Sequence, residues 1–495
     1  MALLLEYLQG SSISLTALGI VLLGIALHRI YVGATGELSH VPGPLYSAYT
    51  NLVFKWYNLK GVRWDYVHSL HQRYGPIVRV SPSEISVATI EATKEVYKMG
   101  GKFPKTDFYQ RLKGAPHLPN GIFFEIDPKA HGAHRQRTAH QFSEKSIKGM
   151  ESYIRRNTDL TVQRMAEDID ATSRTDAFKW FFFMATDVIG EASFGESFKM
   201  LETGKKNQYS RDLEFIGESN LYRLELPFLI KILAPFGLAK RVTQMSKRFH
   251  EYANESLNRY WTAYREDPDN VKPTLLTKTF GMVEEGILPE DTLEIDARLN
   301  IIAGTDTTAM TSISIVYHLL QNQSMQSRLI EEIAILPKDF DDEDCRKLPY
   351  LEQVIQETLR LSPPIAMGLP RWVPPEGTEL SGYFIPGGTV IGIPAYSLHR
   401  DPKIFPEPET FKPDRWEQPT AEMKDAFVAF GGGSRYCIGI HLAKMELRLV
   451  ICQFYKRFPR GVELVPGFDA STKMKVFQHF LSCYRGKSFL IQEKS

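Results

Sequence analysis

Apolar and polar positions recur with a helical period through most of this chain. Near the N-terminus the period gives way to an unbroken apolar run. Ile13 to Leu27 holds only Ser14, Thr16 and small residues besides its hydrophobics, and Ser11 to Val32 reaches the about 20 residues that cross a bilayer. A secretory signal would need a basic start, but the first ten residues carry Glu6 and no Lys or Arg. A core helix is disfavoured by the extreme terminal position. The pattern predicts an uncleaved transmembrane anchor over 11–32 behind a short segment 1–10, with the body cytosolic because His28 and Arg29 follow the apolar run. His40-Val41-Pro42-Gly43-Pro44 cannot continue a helix, so 33–44 reads as a stiff proline-rich hinge and 45–495 as one body.

Within that body, Gly61 to Tyr74 has helical spacing and stops at Gly75-Pro76. Ile77–Val80 and Ile85–Ala88 flank a Ser-Pro-Ser-Glu turn and predict a hairpin. Phe103 to Ile122, rich in Gly, Pro and aromatics, reads as a long ordered loop. Asp127-Pro128 opens a helix that puts His131 and Arg135 four apart on one face. Segments from Ile147 to Gly195 read as buried helices. Leu221 to Leu238 is apolar but proline-broken, either core or a surface dipping into a bilayer. Leu288 to Gln321 predicts a long helix, with a local defect at Ala303-Gly304-Thr305-Asp306-Thr307-Thr308, where glycine and β-branched residues are poor helix formers. No repeat or second domain remains.

Composition narrows the classes. A net charge of +1 with 24% charged residues gives no global field for nucleic acid. Four cysteines, Cys345, Cys437, Cys452 and Cys483, show neither a disulfide framework nor C-x-x-C zinc spacing, which points to a reducing compartment.

One of them stands apart. Phe430-Gly431-Gly432-Gly433-Ser434-Arg435-Tyr436-Cys437-Ile438-Gly439 places a cysteine in a glycine-rich loop that feeds a helix. A helix N-terminus drives a thiol towards thiolate, and the glycines let the backbone approach a flat partner. Taken alone, the cysteine reads first as a buried structural residue in a tight turn. The spacing F-x-x-G-x-R-x-C-x-G, however, resembles the haem-binding signature of the cytochrome P450 monooxygenases.

That resemblance extends along the chain in family order and implies a mostly α-helical, triangular haem-thiolate fold with a small β subdomain near the N-terminus. Cys437 would be the axial ligand of haem b, with Phe430, Gly433 and Gly439 shaping its loop. Arg435, Arg135, His131, Arg371 and His399 would face the haem propionates. Ala303 and Gly304 would leave room for dioxygen, and Thr307 and Asp306 would deliver protons to it. Glu357, Arg360 and Arg415 would form a buried structural network. Asp296, Leu299, Asn300, Ile365, Met367 and Phe477 are substrate-pocket candidates.

The same resemblance implies hydroxylation or another oxidation of a lipophilic small molecule, in fungal secondary metabolism, with a terpenoid favoured over a polyketide or alkaloid. No nucleotide or flavin fingerprint is present, so electrons would come from NADPH through a separate NADPH–cytochrome reductase. That partner would dock near Lys424, Arg435, Lys444, Arg448 and Lys456, with the protein held at the endoplasmic reticulum membrane. Two rivals are a haem-thiolate isomerase or dehydratase that uses no dioxygen, and a non-enzymatic haem sensor. The Asp306–Thr307 pair argues against the first, and a long distal helix with a dioxygen notch against the second.

Overall fold

The computed structural model describes residues 2–113, 119–228, 232 and 238–494. Helices dominate, with four small sheets among the described residues. The centre is the helix Glu290–Leu320, packed along Ala177–Phe194. That second helix is buried along nearly its whole length, as a helix enclosed by its neighbours should be, and carries a run of aromatics. Asp176 caps its start by accepting from the Phe178 and Lys179 amides, and Gly195 ends it at φ 76°. The helix that follows the cysteine, Ile440–Arg457, packs against Glu151–Thr172 and the central helix. These elements share one apolar core.

The expected hairpin is present as Ile77–Ser81 paired antiparallel with Glu84–Val87. Its sheet is completed from far along the chain. Val390–Gly392 runs parallel to Glu84–Val87, and Arg371–Trp372 lies antiparallel on the outer edge. The β subdomain therefore draws half its strands from 371–392 and has its own core, which includes Leu38, Val41, Ile85 and Ile391. The proline-rich segment is accordingly a packed part of the body. Buried Arg79 donates to Gly33 O at 3.4 Å, Leu38 O at 3.3 Å and Pro82 O at 3.0 Å, clamping it down.

The segment Ala2–Thr35 is one helix. Among the described residues no helix is long and apolar enough to cross a membrane, so the span expected over 11–32 is not carried by them. From residue 17 onward the helix exposes Ile20, Leu22, Leu23, Ile25, Leu27 and Ile30. The expected loop 103–122 contains a short helix, Phe108–Lys113, and 114–118 lie outside the described residues. Of the stretch 221–238, Leu221 is buried while Phe228 and Ile232 are exposed. Residues 229–231 and 233–237 lie outside the described residues.

The helix defect expected at 303–308 is absent, since Glu290–Leu320 is continuous. Its hydroxyls follow the helical ladder. Thr307 Oγ1 donates to Ala303 O at 2.6 Å, Thr311 to Thr307 O at 2.7 Å and Ser312 to Thr308 O at 3.0 Å. Tertiary packing outweighs weak propensity here.

Candidate active site

The cysteine loop is built from left-handed glycines. Gly431 and Gly433 have φ of 74° and 59°, and a Cβ on Gly433 would overlap the Tyr97 carbonyl oxygen. The turn brings the Cys437 amide to Phe430 O at 2.9 Å. Gly439 starts the following helix, and a Cβ there would meet no protein atom within 4 Å. Its side of the loop is thus open to a flat group lying close. Cys437 itself is accessible yet walled in by protein. Burial raises its thiol pKa, against the Gly439 amide and the Arg135 guanidinium, which both lower it. The expected drive towards thiolate is therefore outweighed in the protein alone; a coordinated metal ion would complete the deprotonation.

Around this loop lie two buried cations, Lys105 and Arg371, and two half-buried ones, Arg435 and Arg135. Lys105 and Arg371 are each 4% exposed and form an isolated β-bridge. Arg371 Nη1 donates to Tyr109 Oη at 2.5 Å and to Pro370 O at 3.1 Å. Lys105 donates to Phe123 O and sits over the rings of Tyr109 and Phe123. Arg435 donates to Glu125 O at 2.7 Å and Ile126 O at 3.2 Å. His131 is buried nearby, and burial together with Arg435, Lys105 and Arg135 pushes its pKa down to about 3, leaving a neutral ring. Burial and then Arg435 and Arg371 hold Lys105 well below its ordinary value. Burial and then Arg371 lower Arg435 to about 10.

Among the described residues no carboxylate forms an ion pair with Lys105, Arg135, Arg371 or Arg435. Buried charge is costly unless paired. A ligand that brings its own carboxylates would supply the missing counter-charge, while its flat face could rest on the open Gly439 side of the cysteine loop. The donor set fits haem.

On the central helix, Ile302 and Ala303 are open between buried turns. Asp306 and Thr307 are half-buried. Burial and then Glu214 raise the Asp306 carboxyl to about 6, against Lys487 and Lys206. Gly304 has a packing role and makes no room for a ligand, since a Cβ there would meet Ile189 Cγ1 at 2.7 Å. Leu299 borders Gly121, and Asn300 and Ile365 are half-buried. Met367 is 6% exposed. Asp296 leaves the pocket set. Its Oδ2 lies 2.5 Å from His134 Nε2 and its Oδ1 accepts from the Ile122 amide at 2.9 Å. Phe477 borders Gly61 instead; the aromatic of that hairpin that reaches the loop is Phe480, against Phe108 and Phe123.

The expected network is present. Glu357 accepts from Arg360, Arg415 and the Trp416 indole. His399 belongs to this scaffold and not to the cation cluster. Its Nδ1 lies 3.0 Å from Arg360 O, its Nε2 accepts from the Val428 amide at 3.0 Å, and it is fully buried. Both ring nitrogens are used in the core. The proposed docking charges also divide. Lys424 is exposed, and Lys444 and Lys456 are half-buried. Arg448 is buried in a bidentate pair with Asp342 at 2.6 and 2.9 Å, and Arg435 is turned inward. A cavity of about 210 Å³, lined by Met310, Ser314, His318, Pro364 and Arg400, contains none of the cysteine-loop or cation-cluster residues.

Lys105, Tyr109 and His134 escaped sequence reasoning, while Phe480 falls in the apolar segment 477–481 expected to line the pocket. Only the alternation of aromatics and cations over 105–124 could have drawn attention to the first two.

A helical body that presents one cysteine from a glycine turn, beside buried and half-buried cations that form no ion pair with a carboxylate among the described residues, has the design of a haem-thiolate protein. The chain belongs to the cytochrome P450 family, whose model, Cytochrome P450, matches residues 42–475. It is similar to the cytochrome P450 monooxygenase tazI of Aspergillus terreus, at 42% identity over 98% of this chain and 100% of that relative. The cytochrome P450 monooxygenase azaI of Aspergillus niger is 35% identical over 78% of this chain and 86% of its own length. The cytochrome P450 monooxygenase aflV of Aspergillus parasiticus is 31% identical over 87% and 86%. The protein is a haem-thiolate monooxygenase.

Proposed function

We propose that the chain oxidises a lipophilic small molecule in fungal secondary metabolism, a terpenoid, polyketide or alkaloid scaffold, with Cys437 as the axial ligand of haem b. Haem held there supplies dioxygen activation and transfer of one oxygen atom, the thiolate favouring O–O cleavage. In this reading Arg435, Arg371, Arg135 and Lys105 bind its propionates, neutral His131 adds a hydrogen bond, and Phe430, Gly433 and Gly439 shape the loop. Ala303, Leu299, Asn300, Ile365 and Met367 orient the substrate. Thr307 and Asp306 hold and pass protons, Asp306 exchanging readily because its carboxyl titrates near neutrality.

The cluster of buried and half-buried cations, none in an ion pair with a carboxylate among the described residues and all set around an accessible cysteine, is the observation that carries this reading. Electrons come from NADPH through a separate reductase, for which Lys424, Lys444 and Lys456 offer positive charge. The exposed apolar side chains from Ile20 to Ile30 support contact with the endoplasmic reticulum membrane.

A carbon-monoxide difference spectrum of the reduced protein tests the site. The red-shifted Soret band of thiolate-ligated haem is expected, and Cys437→Ala should lose it while keeping its helical circular dichroism. A thiolate band that survives in Cys437→Ala would remove Cys437 as the ligand. Product analysis with fungal metabolite extracts then tests the substrate class.

A further inference from the structure

The turn 120–126 is gripped from two sides. Its carbonyls face the cation cluster: Arg435 takes Glu125 O and Ile126 O, and Lys105 takes Phe123 O. Its Ile122 amide faces the other way, donating to Asp296 Oδ1 on the central helix at 2.9 Å. Asp296 in turn is held by His134 from Pro128–Thr138, Nε2 to Oδ2 at 2.5 Å, and the two side chains are only 10% and 8% exposed. The approach is close enough to require glycine. A Cβ on Gly121 would stand 2.7 Å from Asp296 Oδ1 and 2.7 Å from Leu299 Cδ1. Within the turn, the Phe124 and Glu125 amides both donate to Gly121 O, at 3.0 and 3.1 Å, so movement at Gly121 carries the rest with it.

The turn lies against the stretch of the central helix that leads to the open Ala303. Leu299, against Gly121, is one helical turn before the open Ala303. The Phe123 ring meets Tyr109, Phe124 and Phe480 at 5.4, 5.4 and 5.9 Å, an aromatic cluster beside Lys105. Arg435 and Lys105 belong to the cluster assigned above to carboxylates, so their hold on the loop carbonyls competes with cofactor binding. Asp296 has no such second claim.

We infer that Asp296, braced by His134, is a positioning residue that latches the 120–126 turn against the central helix and governs the entry of bulky ligands. Only the entry arm of the test rests on the haem reading; the latch itself holds for the protein with or without haem.

Hydrogen–deuterium exchange reads the latch directly. In Asp296→Ala the Ile122 amide should exchange about tenfold faster or more, the loss expected for one hydrogen bond to a charged group. Asp296→Asn, whose amide oxygen still accepts from Ile122, should restore most of the protection. In the haem-loaded protein the on-rate of 4-phenylimidazole should rise in Asp296→Ala, while that of carbon monoxide changes less. A residue that only stabilises the fold would shift both alike. Unchanged exchange at Ile122 overturns the latch, and faster exchange with an unchanged 4-phenylimidazole on-rate overturns its control of entry. Should Asp296→Ala fail to fold, His134→Leu gives the same readings, and unchanged exchange there overturns the proposal equally.

Discussion

Arg360 closes a two-pronged pair on Glu357, Nε to Oε2 and Nη2 to Oε1, each at 2.8 Å and with both side chains completely buried. The remaining Arg360 donors reach His399 O, Pro408 O and Thr410 O at 2.8, 2.7 and 3.2 Å. One helix side chain thereby ties together the segments that precede the cysteine loop. Arg415 Nε, the Lys412 amide and the Trp416 indole converge on the same carboxylate. Glu357→Gln keeps the volume but leaves two guanidinium groups short of counter-charge in the core. We expect a loss of about 3–5 kcal/mol, the cost of stranding a buried charge. Chemical denaturation checks it, and a loss below 1 kcal/mol would show that the network is dispensable; Glu357→Asp should fall between.

What the sequence made legible, and what it hid, follows from the range of the contacts. The cysteine loop was readable because its work is done by neighbours: left-handed glycines, an amide bonded back to Phe430 and a helix beginning at Gly439. The Glu357 network was readable because Arg360 is one turn away on the same helix. His399 and Arg448 were misread because a motif fixes where a residue stands and not which way it turns; one points at Arg360 O and Val428, the other at Asp342. Lys105 was invisible because its role comes from a bridge to Arg371, far along the chain. The central helix lacks its expected defect for the same kind of reason, since Ile189 on another helix supplies the packing that Gly304 needs.

Lys105 gives a prediction that separates cofactor binding from folding. It is 4% exposed, forms no ion pair with a carboxylate among the described residues, and burial drives its pKa well down against the Glu125 carboxylate. Lys105→Met removes a buried amine whose charged form burial disfavours, which offsets the lost bond to Phe123 O, so the melting temperature of the haem-free protein should not fall. Haem loss to an acceptor globin should nevertheless speed up by about 10–100-fold, the value of one charge-assisted hydrogen bond. Unaltered haem loss would exclude Lys105 from the propionate set.

Glu446 should impose a pH dependence on stability. It is 1% exposed on the helix that follows the cysteine, its Oε2 has no hydrogen-bond partner, and burial raises its pKa well above the ordinary value. A carboxyl whose folded pKa is raised keeps its proton in the native state after the unfolded chain has lost it. Its stabilising contribution is thus full below the unfolded value of about 4.3 and is lost as pH rises towards the folded value, by about 1.4 kcal/mol per pH unit. Glu446→Gln should remove that slope, so its stability relative to the parent should grow as pH rises above about 5. Urea titrations across that range measure it. Parallel pH profiles for the two proteins would show that Glu446 ionises freely in the folded state.

Thr307 offers the sharpest chemical test. Its hydroxyl donates to Ala303 O at 2.6 Å, so its proton is turned into the helix and must rotate away before it can serve a ligand above Ala303. Beside it, the Asp306 carboxyl titrates near 6 and can refill a hydroxyl chain at neutral pH. Thr307→Ala removes the hydroxyl while favouring the helix by a few tenths of a kcal/mol, which separates a catalytic defect from unfolding. With reductase and NADPH supplied, consumption of NADPH should persist. Peroxide should take a larger share of it, and product should fall towards the about 100-fold loss typical of a missing proton donor. Thr307→Ser should restore most of the coupling, because the hydroxyl returns in the same place. Equal peroxide shares in Thr307→Ala and the parent would strip Thr307 of its role and leave the proton to be delivered by Asp306 through water.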